Sequence, residues 1–389
     1  MKILVMYDYP PSPGGLATQG DLLYRGLREL GVEVFPVPFE SEQEKEWYYR
    51  WFQPDIAVGV GYWGHTPHLI LHPQRHGVRA LPWLVVDGYL GDTERYLEIL
   101  NALPLILVTS NWVKDVYACD GLNPSKIEVL PVGCDTDSFI PREKKDPKVV
   151  AVREALGVSP EEIMILTVGG DAASKGAQEV MQALAIIDKE APDWRYVCKV
   201  WPQPRTQQQD LTDLQLAKDL GIDKKVIYTM SRASRNFMPY LMAACDIYAG
   251  PSRLEGFGMT QVEAGACGKP VIGIKAMGML DTLVHGQTAF LAEVAKEVRI
   301  TERTLGEEEG YEHAHRVVFG SPQTADYRAS VHDIAKYLLR LMADEKLRQR
   351  MGEAARKRVV EKFDYRIVAR SFMQIASERL RIPSNVHQK

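Results

Sequence analysis

Long hydrophobic runs are missing from this chain of 389 residues. No apolar stretch approaches the roughly 18 residues that a membrane-spanning helix needs, and the chain begins on a strand-like run instead of a signal peptide. A charge excess is missing too, since 47 basic and 51 acidic residues leave a net charge of −4. That balance gives no electrostatic footprint for nucleic acid. We therefore expect a cytoplasmic protein with no nucleic acid partner and no transmembrane segment.

Paired cysteines are also lacking. The five cysteines are odd in number and include no Cys-x-x-Cys pair: Cys119, Cys134, Cys198, Cys245 and Cys267. This usage is typical of reduced thiols and not of a disulfide scaffold. The 46% apolar and 25% charged content is that of a soluble globular protein. The length allows two or three domains.

Strand-like apolar runs alternate with helical patterns, which predicts parallel βαβ units and an α/β fold. The predicted strands of the first half are 2–7, 32–37, 55–60, 83–86, 105–109 and 126–131. Those of the second half are 163–168, 196–200, 226–229, 246–249 and 270–274, followed by long helices over 330–343 and 345–362. Ligands of such sheets bind outside the carboxyl ends of the strands. The loops after the strands are therefore the first candidates for a site.

A glycine-rich loop with two carboxylates follows the predicted strand 246–249. It begins at Pro251 and carries Glu255, then Gly-Phe-Gly at 256–258, then Glu263. Glycines let the backbone approach a ligand closely, and N–H groups at a helix start favour a phosphate. One carboxylate is placed for a sugar and the other for a ribose, with a diphosphate between them. Solvated glutamates on an ordinary strand–turn–helix are the alternative.

The loop and helix start at 251–264 continue into Ala-Cys-Gly-Lys-Pro-Val-Ile at 266–272. Together they resemble the Glu-x7-Glu signature of glycosyltransferase family 4. These are the retaining, group 1 glycosyltransferases of the GT-B fold, and the resemblance covers nearly the whole chain outside 292–326. It implies two Rossmann-like, doubly wound domains facing each other across a cleft. They would be an acceptor-side domain (1–143), a nucleotide-sugar-binding domain (144–365, with an insertion at about 292–326) and a C-terminal helix (366–389) packing back on the first domain.

The resemblance also implies roles for individual residues. Lys175 and the N–H groups near Gly258 would contact the diphosphate, Glu255 the donor sugar and Glu263 the ribose. Lys175, Glu255 and Asp87 are the catalytic candidates. The remaining donor-binding candidates are loop and helix-start positions: Gly15, Gly170, Gly256, Phe257, Met259 and Thr260.

The loop that contains Lys175 departs from the family pattern at one position. Lys175 and Gly176 match the family's Lys-Gly, whereas Gly170 stands where an arginine is expected. The candidates to supply the missing charge are Lys199, Arg205 and Arg232. The alternative interpretation of Lys175 is a solvated lysine at a helix start.

Acceptor-side candidates lie in the first half. Asp87 follows a predicted strand where many relatives carry a histidine. It would bond the acceptor hydroxyl or take up its proton, or else cap a turn. Four histidines recur at three- and four-residue steps: His65, His68, His72 and His76. His65 or His68 is expected near the acceptor pocket.

No metal or other cofactor is expected. Prolines interrupt the histidine row, and no cysteine or carboxylate is expected to join it. The Asp-x-Asp pair at 135–137 matches a family stretch at a strand end that enters the inter-domain linker, away from a phosphate site. An aromatic face on a short helix, formed by Trp47, Tyr48, Trp51 and Phe52, is expected to turn into the domain core. Its weak cationic flank disfavours membrane contact, although peripheral contact stays open.

The function expected from the resemblance is hexosyl transfer. A nucleotide-diphosphate sugar would donate its sugar to a hydroxyl of a sugar, lipid or small-molecule acceptor, with retention and without metal. No convincing nucleophile is visible in the sequence, which suits the front-face mechanism usually proposed for this family. The alternatives are a GT-B sugar-nucleotide 2-epimerase and a non-catalytic sugar-nucleotide-binding protein.

Overall fold

The structure, a computed structural model, describes residues 1–85, 88–202, 204–306 and 311–382, without the side chains of 204–210. Its contacts divide the chain into two compact units. The first unit comprises 1–133, 299–325 and 362–389, and the second comprises 134–298 and 326–361. Among the helices of these described ranges, none is both long and apolar enough to cross a membrane.

The first unit is built on a six-stranded parallel sheet. Its strands are β1 (Lys2–Tyr7), β2 (Glu33–Pro38), β3 (Ile56–Tyr62), β4 (Ala80–Val85), β5 (Ile106–Val108) and β6 (Ile127–Val129), and their order in the sheet is β2-β1-β3-β4-β5-β6. The helices between them are α1 (Gly15–Glu29), α2 (Glu42–Trp51), α3 (His72–Arg75), α4 (Thr93–Ala102) and α5 (Asn111–Cys119). Strands such as β1 are apolar and buried after their first residue, because helices cover both faces of a parallel sheet. This explains why their positions were predictable.

The second unit repeats this architecture. Its strands are β7 (Ile163–Val168), β8 (Trp194–Val200), β9 (Val226–Met230), β10 (Ile247–Ala249), β11 (Val271–Ile274) and β12 (Ala289–Ala292), in the order β12-β11-β10-β7-β8-β9. Its helices are α6 (Pro147–Ala155), α7 (Ala177–Ile187), α8 (Pro204–Asp219), α9 (Met238–Ala244), α10 (Met259–Ala266), α11 (Met279–Thr282), α12 (Val331–Ala343) and α13 (Glu345–Lys362). The doubly wound α/β class predicted from the sequence is confirmed in both units.

Two long strands overlap the insertion expected at about 292–326. They are β13 (Val294–Leu305) and β14 (His315–Ala329), which pair with each other as a separate two-stranded sheet, here called the two-stranded insertion. Few of its side chains are buried, so the alternation that reveals a half-buried strand is weak. Leu305 and Ala329, near the ends of the two strands, are the buried ones, and Leu305 joins the hydrophobic core of the first unit.

The last helix, α14 (Tyr365–Leu380), belongs to the first unit and packs on α1. The Tyr365 hydroxyl donates to Glu29 Oε1 at 2.6 Å. A Cβ on Gly26 would lie 2.6 Å from the Cβ of Ala369, so glycine allows the two helices to approach this closely.

Candidate active site

Two neighbouring strands of the second unit end in glycine-bearing loops. β7 and β10 pair in parallel, with Ile165 beside Ile247, and β8 continues the sheet on the other side of β7. The strand order therefore reverses between β7 and β10. Ligands of doubly wound sheets bind at the carboxyl ends of the strands where this reversal occurs. Loops 169–176 and 250–258 occupy that position.

The two loops touch through backbone atoms. The N–H of Arg253 donates to the carbonyl oxygen of Ser174 at 2.9 Å. Gly176 has a φ of +80°, and a Cβ there would lie 2.4 Å from the carbonyl oxygen of Pro251. Glycine is the residue that tolerates both conditions. The sequence motif Lys-Gly at 175–176 thus has a structural reason for its glycine.

Lys175 and Glu255 form an ion pair across these loops. Lys175 Nζ donates to Glu255 Oε2 at 2.7 Å, and the N–H of Gly258 donates to Oε1 at 3.1 Å. Burial opposes ionisation of Glu255, but Lys175 and the N–H groups of Gly258 and Phe257 outweigh it and hold the pKa of Glu255 below its usual value. The sequence analysis assigned Lys175 to the diphosphate of the donor and Glu255 to its sugar. The structure brings them into direct contact.

Helix α10 begins immediately after this pair. Gly258 precedes it with a φ of +90°, and the first N–H groups of a helix have no intrahelical acceptor. Gln261 holds the preceding loop in place, because its Nε2 donates to the carbonyl of Gly250 at 2.9 Å and to Ser252 Oγ at 3.2 Å. The predicted candidates Met259 and Thr260 are the first two residues of the helix. Backbone donors and the positive end of the helix dipole therefore lie beside the ion pair.

A third loop, which the sequence analysis missed, supports Glu255. The N–H of Gly278 donates to the carbonyl of Glu255 at 3.2 Å, and the N–H of Glu255 lies 3.3 Å from Met277 Sδ. A Cβ on Gly278 would lie 2.1 Å from the carbonyl oxygen of Gly256. Met277 has a φ of +58°, which side-chain-bearing residues rarely adopt. A glycine soon after strand β11 was the signal available in the sequence.

Glu263 lies on the fifth position of α10 and is half-buried. Burial raises its pKa to about 7, and Arg235 opposes this effect. Its carboxylate accepts no hydrogen bond from the described part of the chain. A half-buried carboxylate without such a donor is suited to accept hydrogen bonds from ligand hydroxyls.

Gly170, the position that departs from the family pattern, makes a backbone contact with Trp201. Its carbonyl accepts the N–H of Trp201 at 3.0 Å. A Cβ at Gly170 would meet the Trp201 ring at 3.7 Å, an ordinary van der Waals distance, so the backbone does not require glycine here. The fold would therefore accept a side chain at this position, and the missing arginine changes the charge of the site.

Lys199 is the buried member of the three proposed substitutes for that arginine. It is the next-to-last residue of β8, beside Val168 of β7, and is 4% exposed. Burial lowers its pKa, and its ammonium has no hydrogen bond or ion pair with any residue that the structure describes. Arg232 is exposed, and the side chain of Arg205 lies outside the described residues.

Arg253 connects the loop of Glu255 to the two-stranded insertion. Its Nη2 lies 3.0 Å from Glu179 Oε1, and Arg328 Nη1 reaches the same oxygen at 3.3 Å. The N–H of Tyr327 donates to the carbonyl of Arg253 at 2.8 Å. Arg253 is therefore bound twice through its backbone, by Ser174 of the loop before α7 and by Tyr327 near the end of β14.

The predicted acceptor-side histidines lie in the first unit. The His65 ring packs against Phe39 and Tyr62, with centroids 4.6 and 4.1 Å away. Burial, with a smaller effect of His68, lowers the pKa of His65 to about 4. Burial followed by Lys45 also lowers the pKa of His68. Both rings are therefore neutral at physiological pH, and their Nδ1 atoms have no hydrogen-bond partner among the described residues.

The other first-half candidates are Gly15, Asp87 and the Asp-x-Asp pair at 135–137. Gly15 is exposed and begins α1, and Asp87 lies outside the described residues. Asp135 is buried, and its Oδ1 accepts the N–H groups of Asp137 at 3.3 Å and Ser138 at 3.1 Å. This aspartate acts as a turn cap.

Two sequence-based statements about the first unit are wrong. A carboxylate does join the histidine row, because Glu46 Oε1 lies 3.5 Å from His76 Nε2. The aromatic face of α2 does not turn wholly inward, since Trp47 and Trp51 are 56% and 49% exposed. Lys45 takes an inward position instead, because its ammonium donates to buried carbonyl groups.

Comparison with known proteins adds a family match and structural neighbours. Residues 151–317 match the model of the family "Glycosyl transferases group 1". D-inositol 3-phosphate glycosyltransferases of Mycobacterium sp. (strain KMS) and Mycobacterium tuberculosis (strain ATCC 25177 / H37Ra) are each 30% identical, over 189 and 187 residues. Those stretches cover 49% and 48% of this chain but 41% and 37% of the relatives, so the chain spans about two fifths of their length.

Solved structures resemble nearly the whole chain. Anabaena HepE in complex with UDP and glucose has a TM-score of 0.72 at 18% identity, covering 97% of this chain and all of its own. A glycosyltransferase from Rickettsia africae has a TM-score of 0.76 at 16% identity, covering 98% and 99%. Sucrose-phosphate synthase from Thermosynechococcus elongatus has a TM-score of 0.73 at 15% identity, covering 98% and 100%.

Proposed function

We propose that this chain, which carries a glycosyl transferases group 1 domain and has the GT-B fold, transfers a sugar from a nucleotide-diphosphate sugar to a hydroxyl acceptor with retention of configuration. The observation that carries the proposal is the Lys175–Glu255 ion pair at the start of α10. A nucleotide-sugar needs a cation beside its diphosphate and a hydrogen-bond acceptor beside its sugar hydroxyls. Lys175 and Glu255 supply these two groups on adjoining loops. The family match and the neighbours support the same chemistry.

The diphosphate of the donor would displace Glu255 from Lys175. Lys175 then meets the phosphate charge that grows as the glycosidic bond breaks, and the N–H groups at the start of α10 stabilise the same group. Glu255, freed from the ammonium, accepts hydrogen bonds from the sugar hydroxyls. Its pKa below the usual value favours the ionised form that does so.

Lys199 supplies the second positive charge that Gly170 lacks. Lys199 is 4% exposed as a residue and has no ion pair with a described residue, and a bound diphosphate would provide a partner for its ammonium. This role answers the strongest argument for a non-catalytic protein, which is the missing arginine.

A uridine nucleotide is the first donor to test, because Anabaena HepE is solved with UDP-glucose as well as with UDP and glucose. Thermal shifts with UDP, GDP, ADP and their glucose and mannose conjugates would identify the donor. Transfer is then measured by product mass with sugars, sugar phosphates and inositol phosphates as acceptors. Binding without transfer to any acceptor would favour a sugar-nucleotide-binding protein, and isomerisation without acceptor would favour an epimerase.

Replacing Glu263 by alanine is expected to weaken donor binding by about 1.5–3 kcal/mol, because a charge-assisted bond to the ribose is lost. Calorimetry with the identified nucleotide sugar measures this. Glu353, an exposed glutamate of α13, is the matched control, and Glu353→Ala should bind as the wild type does. Equal affinity in Glu263→Ala and wild type would contradict the ribose assignment.

The same residue predicts the pH dependence of binding. Burial raises the pKa of Glu263 to about 7 in the free protein, and ribose hydroxyls bind the ionised form more strongly. Donor affinity of the wild type should therefore rise between pH 6 and 8, while Glu263→Gln should show no such rise. A nucleotide sugar is the right probe, because it lacks the terminal phosphate ionisation of a free nucleotide diphosphate.

Transfer is expected to persist after exhaustive EDTA treatment. Lys175, Lys199 and the start of α10 would neutralise the diphosphate, whereas Asp135 is engaged as a turn cap. Initial rates before and after chelation and desalting test this. A loss of transfer that Mg²⁺ or Mn²⁺ restores would contradict a leaving group held by these side chains.

A further inference from the structure

Three potential metal ligands meet in the first unit, whereas the loops of Lys175 and Glu255 belong to the second. His72 and His76 lie four residues apart on one face of a helical turn, with ring centroids 4.7 Å apart. Glu46 comes from α2, and its Oε1 lies 3.5 Å from His76 Nε2. One ligand atom from each of the three residues lies within 4.8 Å of the other two.

His72 is buried without a hydrogen-bond partner in the described chain. The residue is 3% exposed, and neither ring nitrogen has a hydrogen bond to the described residues. A buried polar atom without a partner is costly. A metal binds imidazole through a ring nitrogen that carries no proton, and both nitrogens of His72 lack a partner in the described chain.

His76 is oriented for the same purpose. Its Nδ1 lies 2.9 Å from the carbonyl oxygen of His72, so this nitrogen carries the proton and donates it. A backbone carbonyl that binds the Nδ1–H is a common support for a metal-binding Nε2. In the neutral ring, the Nε2 lone pair faces a carboxylate oxygen of Glu46. A cation between the two atoms would relieve that contact.

We propose that Glu46, His72 and His76 bind a divalent transition metal, with Zn²⁺ as the preferred ion. Two imidazoles and one carboxylate form a donor set that suits Zn²⁺, and water would complete a four-coordinate site on the exposed side of His76. Lys45 lies nearby but donates to the carbonyl groups of Phe39 at 2.6 Å and His68 at 3.3 Å. Arg50 Nη2 lies 3.5 Å from Glu46 Oε2, so the oxygen that faces the metal position is Oε1, which lies beside His76.

This site would join α2 to the segment after β3 and would not act on the sugar donor. It shares no residue with the proposed donor site and does not depend on the proposed function. The alternative occupant of the gap between Glu46 and His76 is a proton, which would make the contact an ordinary ion pair. The two possibilities differ in whether the protein takes up zinc.

Titration calorimetry of the full chain with ZnCl₂, after EDTA treatment and desalting, tests the proposal. The wild type should bind one equivalent of Zn²⁺ through this site, and its melting temperature should rise. Glu46→Gln and His76→Ala are expected to lose on the order of tenfold to a hundredfold in affinity, or more. Both positions are accessible enough to vary without opening the core, whereas His72 is not.

His332→Ala is the matched control, since His332 is an exposed histidine of the second unit. It should bind zinc as the wild type does. Circular dichroism and melting of the metal-free variants establish that they are folded. Absence of zinc binding by the wild type would overturn the proposal, and so would unchanged affinity in folded Glu46→Gln and His76→Ala.

Discussion

Replacing Lys175 by alanine should lower kcat about 100-fold, the magnitude typical of losing one donor to a developing negative charge. The reason is that the charge on the diphosphate grows as the sugar departs, so the contact is stronger in the transition state than in the bound donor. The donor KM should change much less. Steady-state kinetics with the donor identified by thermal shift measure both values.

The Lys175–Glu255 pair requires a control for stability. Removing the ammonium leaves Glu255 without its partner at 2.7 Å, which destabilises the loop by itself. Lys175→Ala/Glu255→Gln removes both charges and should recover melting temperature without recovering turnover. Lys189→Ala, at an exposed lysine of the second unit, should leave kcat unchanged. A higher KM with kcat within twofold of wild type would show uniform binding and refute the role given to Lys175.

Replacing Gly278 by alanine should lower kcat/KM about 100-fold, although the residue carries no chemistry. A Cβ would lie 2.1 Å from the carbonyl oxygen of Gly256, so the backbone on one side must move. That movement displaces Glu255, whose carbonyl accepts the Gly278 N–H. The free energy of unfolding should fall by on the order of 1–3 kcal/mol, measured by urea denaturation.

Gly320→Ala is the control for that variant. Gly320 lies in β14, and a Cβ there would meet no atom within 4 Å. Its kcat/KM and stability should stay near those of the wild type. If Gly278→Ala behaved like Gly320→Ala, the third loop would not position Glu255.

The sequence predicted those parts of the candidate site that lie on single continuous motifs. The Lys-Gly at 175–176 and the loop from Glu255 to Gly258 were found because strand, glycine and helix start follow one another along the chain. The support from Met277 and Gly278 was missed, since it joins residues of different loops. A left-handed φ at Met277 has no signature in residue type.

Contacts remote in sequence also explain the errors in the first unit. Glu46 meets His76 from another helix, so a search along the histidine row could not find it. The aromatic pattern of α2 was wrong for Trp47 and Trp51, which are exposed, because apolar periodicity assumes that lysine stays outside. Lys45 lies inside because the carbonyl groups of Phe39 and His68 accept its protons.

The fold of the first unit has a consequence for synthesis on the ribosome. That unit needs α14 to cover α1, with Ala369 against Gly26, and Leu305 to complete its core. The second unit draws its last segment from 326–361, before α14 has been made. The unit that is translated later is therefore finished first, and the surface of α1 stays uncovered meanwhile. Ribosome-stalled chains in which residue 361 is followed by a flexible linker long enough to fill the exit tunnel should show a protease-resistant second unit and a protease-sensitive first unit. Chains that carry α14 ahead of the same linker should protect both.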